Sequence, residues 1–132
     1  MLSLEKQVKD SIEIDVVATW EVPRILKEIS EEDPEIIACK QQMANGVGDR
    51  AFIGMLLAKT LKKRAEEWHR KITEALKARA TTNAEHDLLN DQMVLNSSFL
   101  IPSRGEKEFF DAVEGIDLSS EGKLNFKCIG PL

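Results

Sequence analysis

The chain has no tyrosine, only two histidines and two cysteines, and just 5% aromatic residues in 132. So low an aromatic content leaves few platforms on which nucleic-acid bases could stack. Cys39 and Cys128 are too few for a disulfide framework, and each reads as a small apolar residue of a reducing compartment. No apolar run reaches the ~18 residues of a membrane span. The start MLSLEKQVKD also lacks the basic-then-apolar order of a signal peptide. The expected compartment is therefore cytoplasmic, with no membrane partner.

Motifs of catalysis are missing as well. His69 and His86 have no second histidine at i, i+4 and no close cysteine pair, so a zinc site built from them with Cys39 and Cys128 would lack the usual ligand spacing. His86-Asp87 could orient a proton, but Ser97-Ser98 lies in a strand-like run without the Gly-x-Ser-x-Gly elbow of a hydrolase. In NGVGDR the glycines precede no Gly-Lys-Ser/Thr and follow no strand, so the segment reads as a loop with Asp49 as a helix cap. The residues point to no enzyme, metal or cofactor.

What is present is a soluble composition, 42% hydrophobic and 31% charged, in a length that suits one domain over residues 1–132. The net charge of -5 is unevenly spread. From Asp49 to Ala80 nine basic residues face four acidic ones, so this segment carries +5 and the remainder -10. A basic element over 50–79 admits a nucleic-acid-binding module as an alternative function. Overall acidity argues instead that Lys62, Lys63, Arg70 and Lys71 are solvated or paired with the chain's own acidic body.

Periodicity places the elements. IEIDVVATW alternates, with Ile12, Ile14, Val16, Ala18 and Trp20 on one face of a strand. Pro23 and then Asp33-Pro34 open two short helices, the second closed by Asn45-Gly46. Ile53, Leu57, Leu61, Ala65, Trp68, Ile72 and Leu76 recur every three or four residues and stripe a long helix from Arg50 to about Arg79, expected to pack across the chain's own sheet. The threonines after it admit a short edge strand within 80–85. QMVLNSSFLIP is a strand with Met93, Leu95, Ser97, Phe99 and Ile101 inward, ended by Pro102. Ser103 and Glu106 form a capping-box pattern, predicting a helix that packs through Phe109, Phe110 and Val113 and stops near Gly115. In LNFKCIGPL, Leu124, Phe126 and Cys128 point inward.

A crossover helix between the last two strands makes them parallel, and the first strand fits between them, antiparallel to both. The expected fold is α+β: a ferredoxin-like split β-α-β antiparallel sheet with one long helix packed on one face.

DQMVLNSSFLIP, EFFDAVE and LNFKCIGPL, in that order, resemble the C-terminal part of the gas vesicle protein F/L family. There an Asn-Ala-Ala-Phe-Leu-like strand, here Asn96 to Leu100, precedes a Phe-containing helix, and a last strand runs into Gly-Pro, here Gly130-Pro131-Leu132. SIEIDVVATWE and AFIGMLLAKTL are similar to its earlier strand and the start of its long helix. Neither the family's N-terminal domain nor its final Pro-Pro-Tyr-x-Phe has a counterpart here, so the expectation is a single domain equivalent to the family's C-terminal one. The resemblance implies a gas vesicle assembly accessory or minor structural protein, located with gas vesicles. Such a protein would bind the main shell protein during nucleation, limit its aggregation and meet other gas vesicle accessory proteins. Gly130, Pro131 and Leu132 are the candidate partner-binding residues, expected to turn the chain out of the sheet.

Overall fold

The computed structural model describes residues 10–132; residues 1–9, most of the start read above as no signal peptide, lie outside them. Strand β1 spans Ser11–Trp20, and its alternation is realised: Ile14, Val16, Ala18 and Trp20 are buried while Glu13 is exposed. Helices α1 (Val22–Glu32) and α2 (Pro34–Ala44) follow, each with proline in its first turn. Asp33 joins them. Its backbone N–H donates to the Ile29 carbonyl at the end of α1, and its carboxylate accepts from the N–H groups of Glu35 (3.0 Å) and Ile36 (3.2 Å), capping α2.

The long helix α3 spans Arg50–Lys77, and Asp49 caps it by accepting from the Ala51 N–H at 2.9 Å. The short edge strand β2 is Thr82–Glu85, β3 is Met93–Pro102, helix α4 is Glu106–Ser119, and β4 is Leu124–Ile129. These strands form one sheet in the order β2-β3-β1-β4. β1 is antiparallel to β3 (Ile14 opposite Phe99) and to β4 (Ala18 opposite Phe126), so β3 and β4 run parallel to each other across the α4 crossover. The fold is the α+β, ferredoxin-like split β-α-β arrangement expected from the sequence, with the long helix against the sheet.

Four details depart from the periodic reading. A register shift between Ala18 and Thr19 changes the phase of β3, so Val94 is buried beside Leu95 while Met93 is only half-buried. The capping box does not form: Ser103–Gly105 makes a 3-10 turn, and among the described residues no side chain caps α4. Helix α4 also continues through Gly115. It ends only at Ser119, where Ser120 Oγ donates to the Asp117 carbonyl and the next two residues, Glu121 and Gly122, take positive φ values of 53° and 81°. Packing of Ile116 against the core outweighs the helix penalty of one glycine. Finally, the α3 stripe is fully buried only at Ile72 and Leu76, and the chief sheet neighbour of α3 is β3; its other partners are α1, α2 and α4.

The core lies between the sheet and these helices. Phe99 of β3 and Phe109 of α4 are fully buried with ring centroids 5.5 Å apart, and Ile25, Ile29 and Ile36 close the layer from α1 and α2.

Candidate functional site

The sequence singles out the end of the chain. Gly130, Pro131 and Leu132 are exposed, yet they do not leave the sheet: the Leu132 N–H donates to the Glu13 carbonyl at 2.9 Å, so the chain still follows β1. Gly130 has φ +125°, and a Cβ placed there would sit 2.7 Å from the Glu13 carbonyl oxygen. Glycine is required at that position by close backbone approach. The expectation that this end turns away from the sheet is corrected by these contacts.

On the open face of the sheet the structure joins three residues far apart in sequence. Ser98 lies opposite Asp15 in the β1/β3 register, and its hydroxyl donates to Asp15 Oδ1 at 2.6 Å. His86 Nε2 stands 2.7 Å from the same hydroxyl oxygen, which, having given its hydrogen to Asp15, accepts from the imidazole. Serine therefore sits in the middle of the chain. A nucleophilic triad needs histidine there, taking the serine proton while the carboxylate orients the imidazole. The trio ties β1, β3 and the residue after β2 together; the outward phase of Asp15 and Ser98 was legible in the strand alternation, their meeting with His86 was not.

His69 is elsewhere. Its Nδ1 donates to the Val94 carbonyl (3.0 Å), and Nε2 lies 3.2 Å from Glu85 Oε1. Cys39 lies on α2 and Cys128 on β4. Among the described residues no cluster of three or more His, Cys, Asp or Glu could hold a metal ion. Burial pushes the Cys128 thiol above its ordinary pKa, which suits a half-buried packing residue.

The basic helix divides its charges. Arg64 lies 3.6 Å from Glu28, Arg79 lies 4.0 Å from Glu108, and the Lys71 ammonium sits 4.9 Å over the Trp68 ring. Lys59, Lys62, Lys63 and Arg70 are exposed.

Beside that helix runs an open groove of about 840 Å³, between α3 and the 86–92 loop. Ala58, Leu61 and Ala65 form one wall, Leu88 and Leu89 the other, with Trp20 among the lining residues. Leu88 is 50% and Leu89 77% exposed, although both are large apolar side chains. On the helix surface next to the groove, Phe52 and Met55 are also exposed. The sequence marked this loop only by its turn-forming Asn and Asp residues; two adjacent leucines within it were the available signal.

Residues 3–132 match the family described as gas vesicle synthesis protein GvpL/GvpF. Gas vesicle protein F of Microcystis aeruginosa (strain PCC 7806) is 25% identical over 118 residues, which cover 87% of this chain and 48% of that protein. The crystal structure of the gas vesicle protein GvpF from Anabaena sp. PCC7120 superposes with a TM-score of 0.79 at 24% identity, over 93% of this chain and 52% of that one. GvpF from Microcystis aeruginosa gives a TM-score of 0.66 at 24% identity, with the same coverage. This chain thus spans about half the length of these relatives, and the structural likeness concerns the fold. Among the described residues no helix is long and apolar enough to cross a membrane.

Proposed function

Since the chain belongs to the gas vesicle synthesis protein GvpL/GvpF family, we propose that it is an accessory or minor structural protein of gas vesicles that binds the main shell protein during nucleation and limits its aggregation. The family match over residues 3–132 carries this reading. Two physical features support it. Large apolar side chains stand exposed at Val47, Phe52, Met55, Leu88 and Leu89, the kind of surface that can mask an apolar partner. Among the described residues β4 is an edge strand whose outer side has no neighbour in the sheet, the kind of edge that a second chain can extend.

On this reading the domain corresponds to the C-terminal domain of longer family members and works in the cytoplasm at the gas vesicle. It acts through protein contacts, with other accessory proteins among its partners and without cofactor or catalytic step. Gly130, Pro131 and Leu132 would contribute to partner binding where they lie, along β1.

Two measurements test the proposal. The protein, immobilised, should retain the main gas vesicle shell protein. Added in solution, it should delay the rise of light scattering as that shell protein is diluted from denaturant. Failure to retain it, together with unchanged scattering, would remove the proposal.

A further inference from the structure

We propose that His69 is a pH-sensitive latch on the edge strand β2: as imidazolium it ties Glu85 to α3, and as neutral imidazole it lets go. The inference stands on local geometry and does not depend on the gas vesicle reading.

The bulge in β3 sets the tautomer. Ala18 pairs with Leu95 and Thr19 with Met93, so Val94 is the extra residue, without a partner in the β1 register. Its carbonyl oxygen accepts instead from His69 Nδ1 at 3.0 Å. A carbonyl can only accept, so this bond keeps a hydrogen on Nδ1 whether the ring is neutral or charged. The other ring nitrogen, Nε2, lies 3.2 Å from Glu85 Oε1. A carboxylate also only accepts. In the neutral ring the Nε2 lone pair therefore meets a carboxylate oxygen, acceptor against acceptor; in the charged ring Nε2–H donates to it and the pair becomes a salt bridge.

His86 responds differently. Its Nε2 stands 2.7 Å from Ser98 Oγ, whose own hydrogen goes to Asp15, so the ring can donate as the neutral Nε2–H tautomer and as imidazolium alike. Both histidines of the chain thus hold the end of β2, and His69 is the one whose hold depends on its charge. The charged groups around the His69 ring are Glu85 from β2, Lys62 and Glu66 from α3, and Asp91 from the 86–92 loop, while Trp20 of β1 and Met93 and Val94 of β3 bring none. Among the described residues Glu85 is the one within bonding distance of Nε2.

Carboxylates carry their charge across the window from about pH 5 to pH 8, in which histidine changes its own. The tie is therefore present at the acid end and lost as the pH rises. Little else secures β2, a strand of four residues at the sheet edge, three of them exposed. The two side chains are 31% and 54% exposed, so their pairing shifts the opening of β2 by about two- to fivefold rather than by orders of magnitude. Once released, β2 uncovers the β3 edge from Ser97 to Leu100, to which another chain can bond.

Two measurements on the full 15N-labelled chain test the latch. At pH ~8.5 the ring nitrogen shifts of His69 should report the Nδ1–H tautomer. Hydrogen exchange, corrected for the intrinsic rate at each pH and taken relative to the β1 amides, should find the amides that bond β2 and His86 to β3 about two- to fivefold better protected at pH ~5.5 than at pH ~7.5. Glu85→Gln should abolish that difference, because the new amide can donate to the neutral ring and accept from the charged one. His86→Gln should leave it in place, since its amide can still donate to Ser98. Both positions are exposed, so both variants should keep the fold, checked by unchanged protection of β1. An Nε2–H tautomer at His69 overturns the proposal. It is equally overturned by equal protection at the two pH values, by a pH difference that persists in Glu85→Gln, or by one that disappears in His86→Gln.

Discussion

Phe99 has no exposed surface and packs its ring on Phe109, so truncating it leaves a cavity at the junction of sheet and helix layer. Phe99→Ala should cost roughly 3–5 kcal/mol in urea unfolding, a large share of the ~5–15 kcal/mol that holds a domain of this kind. Phe126 faces the same way on β4 but is only half-buried, so Phe126→Ala should cost clearly less; an equal loss would mean that β4 is covered more fully than the structure shows. At Gly130 the constraint is backbone. Its φ of +125° and the Glu13 carbonyl 2.7 Å from a built Cβ predict that Gly130→Ala destabilises by more than ~1 kcal/mol, read as a lowered urea midpoint. Cys128 titrates against burial: its folded pKa lies above the unfolded one, so the contribution is present below the unfolded value and is lost as pH rises through the folded value. In a Cys39→Ser background, iodoacetamide should therefore modify the folded thiol more slowly than a free cysteine peptide near pH ~8.5. Equal rates would contradict the buried placement.

Among the elements, α4 offers the sharpest test. Gly115 lies inside this helix, with nothing within 4 Å of a built Cβ, so Gly115→Ala should raise stability by about 0.5–1 kcal/mol in thermal or urea unfolding. Were Gly115 the helix terminus, as a glycine in that position suggests from sequence alone, the substitution would be neutral or harmful. That contrast marks where sequence signals stop. Alternating and three-to-four-residue patterns are repeated many times along β1, β3 and α3, so they survive single exceptions and placed those elements. Boundaries rest on one residue each: the Ser103 capping box lost to a 3-10 turn, and the phase of β3 slipped by one residue at a bulge that only its pairing with β1 defines. The groove was harder still. Leu88 and Leu89 carry no periodicity, and what makes them a wall is a turn that brings them across from α3. Asp15, Ser98 and His86 meet only because β2 pairs with β3 and β3 with β1.

For the molecule as a whole, the strand order sets a gradient of rigidity. β1 is bonded on both sides, whereas β2 is a four-residue edge whose residues are mostly exposed. Native-state hydrogen exchange should find the slowest amides in β1 and its β3 partner, and early exchange in β2; the reverse ranking would contradict the central place of β1. That same central place has a consequence in time. β1 is made first, yet its pairing partners β3 and β4 begin at Met93 and Leu124, so its two hydrogen-bonding edges are not both paired until about a hundred further residues are added, roughly 5–20 s at ~5–20 residues per second. Until then the growing chain carries an Ile-Val-Trp strand with an unpaired edge. A protein proposed to shield an aggregation-prone shell subunit would itself, until its last strand is added, be a client in need of shielding.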